Sequence, residues 1–262
     1  VAEFLGVPDW QQVIYVKNAS EGLNLAARML GAGKGDKIVT TVMEHHSNFI
    51  PWLLARERGA ELQFVGLTEE GELDMEDFKE KVGGATIVAV SHASNVLGTI
   101  NPAKEIVRMA HGEGARVVLD AAQSVPHMEV DFQDLGADFL AFSGHKMLAP
   151  SGTGALVMRP GIMEEFEPPL VGGGTIEDVT FEGVKWAQPP AKFEAGTPNL
   201  EGAVGLGAAV GYLSDLGMRK VRRHERGLLK EFFSLAEDMP MKIYGPPADR
   251  RTSPPAPRPR PR

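Results

Sequence analysis

Short apolar and β-branched runs alternate along the chain with stretches whose apolar positions recur at helical spacing. Residues 13–16, 37–42, 62–67, 86–90, 116–120, 139–142 and 155–158 have the length and composition of strands. Between them, the pattern predicts helices that open with Ser20 as cap, over 48–58 with Pro51 in the first turn, over 74–81 and over 102–111. This rhythm is that of an α/β protein with a mostly parallel central sheet and helices on both faces. After Arg159 it breaks. Pro168-Pro169, Gly172-Gly173-Gly174 and Pro189-Pro190 mark loops or a hairpin. Two helices are then expected, at 200–216 and 218–237. From Pro246 the chain is built of little but Pro, Arg and Ser. The predicted organisation is one domain over 1–245 and an extended, mobile tail over 246–262.

Composition narrows the function classes. With 262 residues, 43% of them hydrophobic, the chain can bury a substantial core. A formal net charge of −8 argues against a nucleic-acid partner, so any anion site must be local. The chain has no cysteine. That removes disulfides, thiolate metal clusters and a cysteine nucleophile from these residues. No apolar run reaches membrane-spanning length and no signal pattern opens the chain, so a soluble, cytoplasmic protein with no membrane partner is expected. The chain starts at Val1 in what reads as mid-domain, as a fragment would.

The polar residues of interest fall where predicted strands end, which is where open α/β sheets place ligands. Lys146, in Ser143-Gly144-His145-Lys146, follows an apolar strand, where desolvation can lower a lysine's pKa for Schiff-base chemistry; an ordinary solvated lysine fits the same position. Lys17-Asn18-Ala19-Ser20-Glu21 makes a strand-to-helix turn suited to a phosphate, though Ser20 also suits plain capping. In Glu44-His45-His46, adjacent rings on an extended segment point apart, which favours a stacking plate over a metal site. Asp120, ending a Val/Leu strand, is either a cap or the counter-charge of a protonated ring nitrogen. Asp120 and Lys146 on neighbouring strand ends would supply two parts that a pyridoxal site requires.

His45, Ser91-His92-Ala93-Ser94-Asn95-Val96-Leu97-Gly98-Thr99, Asp120-Ala121-Ala122-Gln123-Ser124, Ser143-Gly144-His145-Lys146 and Phe193-Glu194-Ala195-Gly196-Thr197-Pro198-Asn199 together resemble the class V aminotransferases. Within them the likeness is to the SufS-like cysteine desulfurases and selenocysteine lyases, from Val13 to about Gly245. The resemblance implies a fold-type I large domain that binds pyridoxal 5′-phosphate. It implies that Lys146 holds the cofactor covalently and later moves a proton. Asp120 would pair with the ring nitrogen, Gln123 with the ring oxygen, Asn95 would lie near that oxygen, and His45 would stack on the ring. Ala19, Ser20, Ser143 and His145 would hold the phosphate, and Thr197 would reach the phosphate of a neighbouring subunit in a homodimer.

The implied reaction converts L-cysteine to L-alanine and an enzyme-bound persulfide. The sulfur would go to an acceptor protein and to iron–sulfur cluster assembly. Against the family pattern, Asn18-Ala19-Ser20 stands where desulfurases have Gly-Thr-Thr, a change that phosphate binding should survive. The persulfide-forming cysteine and the arginine that clamps the substrate belong to a C-terminal domain that is expected to be missing here, as is the N-terminal segment. Other class V activities therefore stay open, among them selenocysteine lyase, epimerase and aminotransferase, as does an inactive fragment that keeps the fold.

Overall fold

The computed structural model describes residues 1–237, 239–252 and 257–259. Seven strands form one sheet: β1 (Val13–Val16), β2 (Lys37–Thr41), β3 (Glu61–Val65), β4 (Ile87–Ser91), β5 (Arg116–Asp120), β6 (Phe139–Ser143) and β7 (Gly154–Met158). Their spatial order is β1-β7-β6-β5-β4-β2-β3. From β6 outward through β5, β4 and β2 to β3 every pairing is parallel, whereas β7 runs antiparallel to both β6 and β1. The reversal at β7 follows from its short connection. Only residues 144–153 separate it from β6, too few for the helical crossover that a parallel neighbour needs.

The pleat sorts side chains between two cores. Val88, Val90, Val117, Leu119, Leu140 and Phe142 face one side, while Ile87, Ala89, Val118, Phe139 and Ala141 face the other. Helices α1 (Ala19–Leu30) and α2 (Ile50–Glu57) cover the second side through Leu23, Ala26, Trp52 and Ala55. The first side is covered by α3 (Met75–Val82), α4 (Ala103–Gly112), the single turn α5 (Phe132–Leu135), α6 (Leu200–Leu216) and α7 (Met218–Ala236). Strands buried on both faces read as continuous apolar runs, which is why they were visible in the sequence.

α1 lies against the sheet at close range. A Cβ on Gly22 would sit 3.1 Å from Ala141 Cβ and 3.5 Å from Leu156 Cβ, so the absent side chain admits the helix start to the strand ends. The cap of α1 differs from expectation. The Asn18 side chain, not that of Ser20, accepts from Glu21 N at 3.0 Å, and Ala19 is the first helical residue. Asn18 is preferred because its backbone is extended, as a cap requires, while Ser20 is already inside the helix.

The broken region after Arg159 contains the hairpin of β8 (Ile176–Val179) and β9 (Val184–Trp186), with Phe181 fully exposed at its tip. Within the stretch expected to begin the tail, Ala248–Arg250 form a 3-10 turn and Arg251 and Thr252 are buried. Arg251 donates to the carbonyls of Leu97 and Tyr244, and Ile100 N donates to Arg250 O. This segment docks on the loop that bears Asn95. Residues 253–256 and 260–262 of the Pro/Arg stretch lie outside the described residues. No described helix is long and apolar enough to cross a membrane.

Candidate active site

Alternation along the strands decides what faces the α1 start. Val90, Leu119 and Phe142 point to the other core, so Ser91, Asp120 and Ser143, one residue further on, turn toward α1 at the C-terminal ends of three adjacent parallel strands. Ser91 and Asp120 are register partners. Ser143 Oγ accepts from Ala19 N at 2.8 Å, joining β6 to the first amide of α1. The positive end of the helix dipole is thereby aimed at the strand ends.

A cavity of about 220 Å³ opens at this point, lined by Asn18, Ala19, Ser20, His45, Ser47, Ser91, Ala93, Asn95, Asp120, Ala122, Gln123, Ser143, His145 and Lys146. Of the residues singled out in the sequence, all but Thr197 line it. Thr197 lines a second cavity with Tyr15, Glu194 and Gly196 on the other side of the α1 start. Asn18, Ser47, Ser91 and the small Ala93 and Ala122 also line the first cavity, residues that stand in or beside the motifs read from the sequence but to which no individual role was assigned there. Alternation of apolar and polar positions past the end of β4 was the signal available for Ser91.

His145 and Lys146 ride on a 3-10 turn, Gly144–Met147, that continues directly from β6. Gly144 is pressed against the start of β7: a Cβ there would meet Thr153 Cγ2 at 2.8 Å and Thr153 O at 2.9 Å. The turn closes on Leu148, a non-glycine residue held at φ 69° whose amide donates to Gly144 O. That left-handed conformation costs energy for leucine, so the register of the lysine turn is held by its surroundings.

Asp120 is 5% exposed, and its Oδ1 accepts from Ala122 N at 2.9 Å. Burial pushes its carboxyl upward, against the pull of that amide and of Lys146 and His45. A carboxylate in this position calls for a cationic partner. His45 is fixed at Nδ1, which accepts from Ser47 N at 3.1 Å, and Ser47 Oγ lies 2.5 Å from Ser20 Oγ. Among the described residues no group of acidic or histidine side chains is arranged to hold a metal ion, and His45 and His46 stand tilted with centroids 6.0 Å apart.

This donor set suits a phosphorylated pyridine aldehyde. Helix amides with serine hydroxyls suit its phosphate, a desolvated carboxylate its ring nitrogen, and a primary amine its carbonyl carbon. The physical fit rests on Asp120, whose burial is offset by any cation brought beside it.

Residues 1–254 match the family described as aminotransferase class-V. A probable cysteine desulfurase of Pyrococcus abyssi is 48% identical over 250 residues, which cover 94% of this chain and 62% of that protein. The cysteine desulfurase of Haloferax volcanii is 45% identical over 258 residues, covering 96% and 61%. Among solved structures, the apo cysteine desulfurase from Thermococcus onnurineus NA1 superposes with a TM-score of 0.92 at 45% identity, over 96% of this chain and 64% of that one. The chain thus spans about three fifths of the length of the curated relatives it matches.

Proposed function

The chain belongs to the class V aminotransferase family, and from that membership we propose that it forms the pyridoxal 5′-phosphate-binding domain of a cysteine desulfurase. The observation that supports this reading most strongly is the meeting of Asp120, Lys146 and the α1 start around one cavity. The substrate is L-cysteine, as the names of the relatives suggest, and the organic product L-alanine, as the family resemblance implies. When bound, the cofactor supplies an electron sink for negative charge developing at the substrate's α-carbon.

The residues divide the remaining work. Lys146 would hold the cofactor through Nζ and would serve as the group that moves the α-proton. Asp120, whose carboxyl burial pushes upward, would pair with a protonated ring nitrogen, whose charge would favour the ionised carboxylate. His45 would stack on the ring, Gln123 and Asn95 would serve its oxygen, and Ala19, Ser20, Ser143 and His145 would hold the phosphate. Thr197, outside this cavity, serves the phosphate site of a second copy in a homodimer. A soluble cytoplasmic setting and an acceptor protein that passes sulfur to iron–sulfur cluster assembly complete the reading.

Adding pyridoxal phosphate to the purified chain should give a yellow protein whose visible band is removed by borohydride and is absent in Lys146→Ala. Lack of the band in the wild-type chain, or its persistence in Lys146→Ala, would refute the assignment.

A further inference from the structure

Beside His45 lies a carboxylate that none of the site roles uses. Glu44 is partly buried between the ends of β2 and β4, and four groups point hydrogen atoms at its two oxygens. Thr41 Oγ1 donates to Oε1 at 2.6 Å and Ser91 N to the same oxygen at 3.0 Å. Asn48 Nδ2 donates to Oε2 at 2.6 Å, and Ser91 Oγ is 2.6 Å from that oxygen.

Three of these groups have no alternative role. An amide nitrogen such as Ser91 N can only donate. Thr41 Oγ1 already accepts from Met43 N at 3.2 Å, which leaves its hydrogen for Glu44. The Asn48 amide is oriented by Trp52 Nε1, which donates to its Oδ1 at 3.3 Å, so the NH₂ must face Glu44. A network of this kind is written for an acceptor-only group, the ionised carboxylate. A neutral side chain of the same shape, which brings hydrogens of its own, would set donor against donor. Burial works the other way and pushes the Glu44 carboxyl up to about 7. The fold therefore retains a carboxylate where a neutral group is cheaper to bury.

What the carboxylate joins suggests why. Thr41 ends β2, Ser91 ends β4 and lines the cavity, and Asn48 closes the 3-10 turn that follows His45. The residues between these anchors include His45 and Ser47, both on the cavity wall. We propose that Glu44 is a positioning residue, whose carboxylate clamps the His45–Ser47 loop to the ends of two strands and so sets the face against which the cofactor ring lies.

The proposal rests on the pyridoxal phosphate reading, and its test separates the two. In the cofactor-free chain, the imidazole resonances of His45, assigned with His45→Gln, should shift and broaden in Glu44→Gln. With pyridoxal phosphate added, Glu44→Gln should bind at least tenfold more weakly than wild type while its urea midpoint at pH 8 is not lowered. Ser91→Ala, which removes one donor, should show a smaller loss of about threefold, and it also carries the test if Glu44→Gln does not fold. Unchanged His45 resonances together with affinity within twofold of wild type would overturn the proposal. If the wild-type chain binds no cofactor, the functional reading falls, and the cofactor-free spectra still decide whether Glu44 holds the loop.

Discussion

The partly buried Glu44 and the buried His92, at the ends of neighbouring strands, titrate in opposite senses. Burial raises Glu44 from 4.5 to about 7 and lowers His92 from 6.5 to about 4. The raised carboxyl contributes stability that is complete below 4.5 and is lost as pH rises through 7. The depressed imidazole contributes stability that is complete above 6.5 and is lost as pH falls through 4. Each shift is worth on the order of 3 kcal/mol at 1.36 kcal/mol per unit. Over pH 4.5–6.5 the two slopes therefore nearly cancel in the wild type. Glu44→Gln should uncover the histidine's limb, so that urea-derived stability gains on wild type by roughly 3 kcal/mol between pH 4.5 and 7.5. His92→Phe should do the reverse, gaining on wild type toward pH 4. Parallel pH curves for the three proteins would show that neither group titrates as described. Neither role was legible in the sequence. Glu44 in a Glu-His-His run reads as a solvated acid, and its partial burial exists only because β4, distant in sequence, lies beside β2. Asp120 and Lys146 were legible because each follows an apolar strand on the same segment, which needs no tertiary information.

At the scale of elements, strand and helix order could be read from the chain, and so could the bounds of β1, β5 and α6, but the ends of several other elements could not. The apolar runs stop at Val90 and Phe142, yet the ladders continue through Ser91, paired with Asp120, and Ser143, paired with Gly154. Hydrogen bonding outlasts the hydrophobic pattern by one residue, and those extra residues are the ones that line the cavity. The α1 cap was misplaced for a related reason, since Asn18 and Ser20 are both good caps and backbone geometry alone separates them. Asn18→Ala should lower stability by about 1 kcal/mol in urea titration. A sharper expectation attaches to the turn after β6. An alanine at 144 would drive its Cβ into Thr153, whose backbone is pinned in the paired β6–β7 segment. The turn with His145 and Lys146 must then move. Gly144→Ala should weaken pyridoxal phosphate binding by at least tenfold in absorbance titrations. Binding equal to wild type would mean that the turn tolerates displacement.

For the whole molecule, the sheet and the cavity are assembled from residues between Val13 and Met158, while the core layers also draw on Leu5, Val7, Ile162, Met163 and Phe193, with α6 and α7 closing one face. The cavity brings together the Lys146 amine, the Asp120 carboxyl, the α1 start and the His45 ring; under the proposed function these would hold a cofactor and labilise an α-proton. Moving sulfur is a separate demand. Attack on the substrate's sulfur requires a thiolate, because an alcohol at neutral pH is neither ionised nor soft enough to accept sulfur and hold it as a persulfide. These 262 residues contain no cysteine, so the acceptor must be supplied from outside them. Loaded with pyridoxal phosphate and given L-cysteine as the only thiol, the chain should bring about spectral change at the cofactor without retaining sulfur on itself, and any alanine above a Lys146→Ala control should be matched by sulfur on free cysteine rather than on the chain. Alanine formed in amounts matching the protein, with sulfur retained on the chain, would mean that a group other than a thiol accepts it and would overturn the division of labour argued for this domain.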